Sequence, residues 1–155
     1  MYKIDFGGII VMKDKYDAIK LENQLCFPLY AVSKEIVKKY KPYLDELDLT
    51  YTQYITMMVM WEHKSMNVKE LGEYLYLDSG TLTPVLKKLE QKGWLVRKRD
   101  SRDERVLNVS LTEEGLELRE KACKVPEQMG NCLKLSKEET DILYKVLYKV
   151  LDTIN

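Results

Sequence analysis

Three cysteines, Cys26, Cys123 and Cys132, and one histidine, His63, are the side chains of this 155-residue chain best suited to nucleophilic or redox chemistry. They do not form a zinc set, because no two cysteines share a C-x-x-C spacing and a single imidazole cannot complete one. No metal and no cofactor is expected. His63 lies just past the apolar run ending at Trp61 and reads as a surface or helix-end residue. An odd cysteine count without a cationic leader and cleavage site fits free thiols in a reducing cytoplasm.

Cys26 has distinctive surroundings. Pro28, two residues on, is favoured in the first turn of a helix. It therefore places Cys26 at or just before a helix N-terminus, where unpaired N–H groups and the helix dipole stabilise an anion. A thiol attacks a peroxide oxygen as its thiolate, so this is a position a reactive cysteine needs. By residue type alone, the commoner role of a free cysteine is that of a small buried hydrophobe. Cys123 falls inside a predicted helix as a packing residue, and Cys132 in the loop-like segment Gly130-Asn131-Cys132.

A second group of residues carries binding chemistry. In the stretch Leu77 to Gly93, Asp78 or Ser79 can accept hydrogen bonds from the first N–H groups of a helix. Leu82, Val85, Leu86 and Leu89 make one apolar face, and Gly93 supplies a left-handed stop. Ser79, Gly80, Thr81, Thr83 and Pro84 are then placed near base edges, with Lys87, Lys88 and Arg99 toward phosphates. The formal charge is zero, 25 basic against 25 acidic, yet Ser79 to Arg105 holds eight basic residues against four acidic ones. A local excess of that sign suits a polyanion, although taken alone it also fits a solvated face.

The elements that must carry these residues follow from periodicity and capping. Residues 1–17 show no sustained period and read as an N-terminal arm. Leu29, Val32, Ile36, Val37 and Tyr40 recur at helical spacing from Phe27 to Lys41, with Pro42 expected to end that helix. Thr50 with Gln53 and Asn67 with Glu70 are capping boxes opening helices at Tyr51–Trp61 and Val68–Leu75. Three short helices separated by brief polar turns are a helix-turn-helix pattern. Trp94–Arg99 and Val106–Leu111 are β-prone, and Asp100–Arg105 closes them into a hairpin, the wing, with Arg102 at its tip. Thr112 caps a helix toward Val125 that Pro126 bends or breaks, and Ser136 with Glu139 caps a last helix to about Thr153.

In that last helix Ile142, Leu143, Val146, Leu147, Val150, Leu151 and Ile154 form an apolar stripe that no later element covers. Burial in a two-fold dimer is expected, packing on the chain's own first helix being the alternative. The expected fold class is mostly α with a small β-hairpin wing, a winged helix-turn-helix. Residues 46–112 are the DNA-binding region, and 18–45 with 113–155 the dimerisation helices. The apolar patch Phe6–Met12 is far short of the roughly 20 residues a bilayer span needs, so no membrane partner is expected.

The order of elements, with the string Asp100-Ser101-Arg102-Asp103-Glu104-Arg105-Val106-Leu107-Asn108-Val109-Ser110-Leu111-Thr112-Glu113-Glu114-Gly115, resembles the MarR family of bacterial winged-helix regulators. Two segments, Leu21-Glu22-Asn23-Gln24-Leu25-Cys26-Phe27 and Leu77-Asp78-Ser79-Gly80-Thr81-Leu82-Thr83-Pro84, are similar to its organic-hydroperoxide-sensing branch, the OhrR repressors. The likeness runs from about residue 17 to the C-terminus. It implies a cytoplasmic homodimer on a palindromic double-stranded DNA operator, with organic hydroperoxide as the reactive inducer.

It also implies that Cys26 reacts with the peroxide and that Tyr40 and Tyr51 of the partner subunit hold its thiolate. In the wing it implies that Asp103 orients Arg105 into the minor groove; Arg102 and Arg105 are expected to serve the two minor-groove flanks. Cys132 stands close to where two-cysteine members carry a resolving residue, and one-cysteine members also exist. Pro28 departs from the branch, which has a small residue there. An alternative within the fold is a MarR-type regulator released by a small aromatic or anionic ligand, with Cys26 incidental. A purely architectural DNA binder would be indifferent to sequence and oxidant. A thiol peroxidase would need C-x-x-C and alternating strands and helices, which this sequence lacks, so no enzyme is expected.

Overall fold

The computed structural model describes residues 14–130 and 132–154. Residues 1–13 of the expected arm, with Phe6–Met12, lie outside them. The chain divides into two compact units, Met1–Lys39 and Tyr40–Asn155.

Two single 3-10 turns, Asp17–Ile19 and Leu21–Asn23, lie in the first unit, and α1, Cys26–Asp45, begins there and ends in the second. The Asn23 side-chain amide donates to the Asp17 carbonyl at 2.7 Å, and Lys20 pairs with Asp17 at 2.6 Å, which holds the two turns together. α1 does not stop at Pro42 as expected; the proline lies inside it. Pro42 cannot donate to the Lys38 carbonyl, but it sits within the last turn, and Leu44, buried at 2% exposure, anchors that turn regardless.

In the second unit, α2 (Tyr51–His63) and α3 (Val68–Leu75) open on the expected capping boxes, Thr50 with Gln53 and Asn67 with Glu70. Between them lies β1, Ser65–Asn67, which the sequence pattern does not announce. α4 (Ser79–Gln91) leads through Gly93, at φ +79°, into β2 (Leu95–Arg99) and β3 (Leu107–Leu111). The sheet is antiparallel in the order β1-β3-β2, Val109 pairing with Met66 on one side and Arg97 on the other. Its core is Leu71, Leu82, Leu86, Leu89, Leu95 and Val109, with Met57 and Met60 of α2, all at most 1% exposed. Each such side chain contributes roughly 1.5–3 kcal/mol by leaving water.

α5 spans Glu113–Ala122, α6 Lys124–Gly130 and α7 Lys137–Ile154. The break falls at Cys123 and not at Pro126. A proline ring clashes with the carbonyl four residues earlier, here that of Ala122, so the helix ends there and restarts with Pro126 in a first turn. Cys123 is accordingly exposed at the junction, not packed inside a helix. Gly115 fits where no other residue could: a Cβ there would stand 2.2 Å from the Trp94 carbonyl oxygen. No helix among the described residues is long and apolar enough to cross a membrane, and none of their side chains cluster as a metal site.

Candidate functional site

The turn Tyr76–Asp78 joins α3 to α4. It opens with Tyr76 in the left-handed region at φ 53° and with the Leu77 N–H donating to the Gly72 carbonyl at 3.0 Å. Asp78 then caps α4. One carboxylate oxygen accepts the Thr81 N–H and the other the Thr81 hydroxyl, both at 2.9 Å. Those bonds hold the Asp78 carboxyl below the usual carboxylate range. α4 buries Leu82, Leu86 and Leu89, and Val85 is half-buried. Ser79, Gly80, Thr81, Thr83, Pro84, Lys87 and Lys88 are all exposed, as expected of a reading face.

The helix is braced to the wing by a pair that sequence reasoning missed. Glu90, at the end of α4, accepts the Arg97 backbone N–H at 3.0 Å, its Nε at 2.9 Å and its Nη2 at 2.5 Å. These bonds hold the Glu90 carboxyl below its ordinary range. Opposite charges astride the Gly93 turn were the available signal. Lys92 is likewise engaged, with Asp48 at 2.9 Å. Arg97 and Lys92 are also half-buried, so the exposed basic face is smaller than a charge count implies: Lys87, Lys88, Lys98, Arg99, Arg102 and Arg105.

The wing tip is folded by its own carboxylates. Asp100 accepts from the backbone N–H groups of Arg102 at 2.8 Å and Asp103 at 3.3 Å, and from the Asn108 amide at 3.1 Å. Asp103 accepts the Arg105 backbone N–H and Nε, both at 3.0 Å, and Nη2 at 3.3 Å. Arg99 donates to the Glu104 carbonyl. Hydrogen bonds hold the Asp100 and Asp103 carboxyls below the usual range. The Arg105 side chain is 92% exposed, aimed outward by the aspartate beside it. Between α3, the start of α4 and the wing lies an open groove of about 750 Å³, with Asn67, Glu73, Asp78, Thr83 and Arg105 among its lining residues.

In the first unit Cys26 is the first residue of α1 and is exposed, with Pro28 in the first turn as expected. The Phe27 N–H already donates to the Gln24 carbonyl at 3.2 Å, and Pro28 has none to offer. In the second unit Tyr40 and Tyr51 come together, ring centres 5.0 Å apart, and Tyr54 joins them at 6.0 Å from Tyr40. Nothing in the sequence distinguishes Tyr54 from the tyrosines that only pack. Burial raises the phenols of Tyr40 and Tyr51 and, with neighbouring Tyr40, Tyr51 and Cys123, pushes Tyr54 up to about 12. Protonated phenols are hydrogen-bond donors at neutral pH. Tyr40 also feels Cys132, whose half-buried thiol donates to the Gln128 carbonyl at 3.7 Å. Tyr54 packs edge-on to Trp61 at 6.3 Å, and the Trp61 indole N–H donates to the Gly115 carbonyl at 2.8 Å, tying α2 to α5.

A capped, outward-facing helix braced to a charged hairpin defines a winged helix-turn-helix protein. The transcriptional regulator SarA/Rot family matches residues 38–122. The organic hydroperoxide resistance transcriptional regulator of Bacillus subtilis (strain 168) is 51% identical over 144 residues, 93% of this chain and 98% of that protein. HTH-type transcriptional regulator SarZ of Staphylococcus aureus (strain NCTC 8325 / PS 47) is 48% identical over 124 residues, 79% and 84% of the two chains. Among solved structures, reduced AbfR bound to DNA is 35% identical, with 91% and 96% of the chains covered and a TM-score of 0.76. A mutant MarR from E. coli complexed with operator DNA is 27% identical, with 89% and 99% covered and a TM-score of 0.77. AbfR, from Staphylococcus epidermidis, is also known overoxidised and bound to DNA, and in a disulfide form. The chain belongs to the MarR family of winged-helix transcriptional regulators, in its organic-hydroperoxide branch, as the wing string and the L-C-F segment led one to expect.

Proposed function

We propose that two copies of this chain bind a palindromic DNA operator while Cys26 is reduced, repress from it in the bacterial cytoplasm, and leave it when organic hydroperoxide oxidises Cys26. The observation that carries the reading is an exposed cysteine at the first residue of α1, in a chain 51% identical to a regulator named for organic hydroperoxide resistance. Residues 46–112 serve the DNA, α4 in the major groove with Lys87, Lys88 and Arg99 toward phosphates. Arg102 and Arg105 take the minor-groove flanks, and residues 18–45 and 113–155 form the dimer. A two-fold dimer sets its two reading helices about 34–36 Å apart, matching one helical turn of DNA. Tyr40 and Tyr51 of the partner subunit donate to the Cys26 thiolate; their raised phenols keep them donors throughout the physiological range.

The thiolate attacks the peroxide's distal oxygen and the O–O bond breaks, giving a Cys26 sulfenic acid and an alkoxide that takes a proton from water to leave as the alcohol. The thiol of the partner subunit's Cys132 then attacks that sulfur, forming the disulfide and releasing water. AbfR that is overoxidised is still DNA-bound, which favours the disulfide over oxidation at one sulfur as the releasing state. Each protomer reacts once, so the protein is a stoichiometric switch and not an enzyme. Moving it from 1:99 to 99:1 needs about 5.5 kcal/mol of differential stabilisation, within reach of two lost charge-assisted hydrogen bonds and a new covalent bond.

The test is fluorescence anisotropy on a labelled duplex from the region upstream of the chain's own gene, with cumene hydroperoxide added. Wild type should release and Cys26→Ser should hold. Release of Cys26→Ser at wild-type doses would instead favour an anionic or aromatic ligand, for which the groove beside Arg105 is the place. Non-reducing electrophoresis of Cys132→Ser checks the second step: the disulfide-linked dimer band should vanish.

A further inference from the structure

The hydroxyl protons of Thr81 and Thr83 are already engaged within α4 and its cap. Thr81 Oγ1 lies 2.9 Å from an Asp78 carboxylate oxygen, and Thr83 Oγ1 lies 2.6 Å from the Ser79 carbonyl oxygen. A carboxylate and a carbonyl only accept, so both threonines must donate. What these two exposed residues have left to offer a partner is a γ-methyl and oxygen lone pairs. At 100° per residue, Gly80 and Pro84 stand opposite the buried Leu82-Leu86-Leu89 face, with Thr81 on one side and Thr83 on the other. Gly80 has no side chain, Pro84 is an apolar ring without an N–H, and Asp78 only accepts. The first two turns of α4 hold no arginine, lysine, asparagine or glutamine. Guanine shows the major groove two acceptors and adenine a donor beside an acceptor, pairs best met by Arg, Lys, Asn or Gln; thymine shows a methyl group.

We infer that the first two turns of α4 read thymine, through contact of the Thr81 and Thr83 methyls and the Pro84 ring with thymine 5-methyl groups. This rests on the DNA-binding function proposed above. The lysines that could meet guanine, Lys87 and Lys88, begin only after those turns.

The experiment needs no prior operator. Reduced full-length protein enriches a duplex from a library randomised over about two helical turns. That duplex is resynthesised with deoxyuridine for thymine, which deletes only the 5-methyl, and separately with 7-deazaguanine for guanine. Burial of one methyl is worth about fourfold in affinity, so several methyls across two half-sites predict at least a tenfold loss with deoxyuridine. The salt dependence should not change, and 7-deazaguanine should cost less than twofold.

Thr81→Ser and Thr83→Ser keep that hydrogen bond and lose the methyl, so each should weaken binding to the thymine duplex and leave the deoxyuridine duplex unaffected. Thr83→Val keeps a methyl and should retain the preference. An enriched duplex indifferent to deoxyuridine, or weakened by 7-deazaguanine instead, overturns this inference and leaves the DNA-binding reading intact. A library from which nothing is enriched overturns both.

Discussion

α4 and α7 carry the same kind of apolar stripe and meet opposite fates. In α4, Leu82, Leu86 and Leu89 are at most 1% exposed; in α7, Ile142 and Ile154 are 64% and 70% exposed, and no residue of the helix is buried. α4 finds its cover inside the chain, on α2, α3 and β2. Among the described residues nothing buries α7. An amphipathic pattern states that a face must be covered and does not say by what. α4 is fixed within each protomer and presents its other side chains outward; α7 keeps its stripe exposed, and its cover by a second copy belongs to the function proposed above.

The largest effect should come from breaking the internally covered helix. Leu89→Ala should cost about 2–5 kcal/mol, seen as a lower melting temperature that does not depend on protein concentration. A matching change on the other helix should behave differently. Val146→Lys should lower the apparent melting temperature only at concentrations where wild type is dimeric, halve the mass found by light scattering, and weaken operator binding at least tenfold. Retention of the dimer in that variant would show that the α7 stripe is not the surface that holds two copies together.

A smaller effect concerns the brace between α4 and the wing. The hydrogen bonds from Arg97 depress the folded-state titration of Glu90. The contribution of its charge is therefore fully present above about pH 4.5, its ordinary value, and lost as pH falls through the depressed folded value. Glu90→Gln should be less stable than wild type at neutral pH by no more than about 1 kcal/mol, because the glutamate is a third exposed. Denaturant titration should show that gap closing in acid. The least effect is expected at the exposed pair of Lys41 and Asp45, where Lys41→Ala should change stability by less than about 0.5 kcal/mol.

Much of the second unit is legible in the sequence because its signals are local. Thr50-x-x-Gln53 and Asn67-x-x-Glu70 each name both hydrogen bonds of a capping box, and Gly93 names its own backbone angle. Where sequence and structure part, tertiary context decides. Pro42 is a poor helix residue, but the buried Leu44 two positions on outweighs the one lost hydrogen bond. β1 is three residues long and polar at Ser65 and Asn67, and it exists because β3 pairs with it, the Ser65 and Ser110 hydroxyls meeting at 2.9 Å. Pro126 does break its helix, but its clash acts four residues upstream, which moves Cys123 to the surface.

At the site, each outward residue of α4 follows from the phase of its leucines, and the Asp103–Arg105 pair from the wing string. The Glu90–Arg97 brace and the engagement of the two threonine hydroxyls within α4 and its cap do not, since both depend on side-chain geometry that spacing does not encode.

Whether the chemical state of Cys26 decides if DNA is held can be read by peptide mass mapping of both sides of the equilibrium. The protein–operator complex is treated with cumene hydroperoxide, the released and bound fractions are separated, and the sulfur state of each cysteine is read. Cys26 should be linked to Cys132 in the released protein, and be reduced or oxidised without that link in what stays bound. Released protein whose Cys26 is still an intact thiol would contradict the proposed switch.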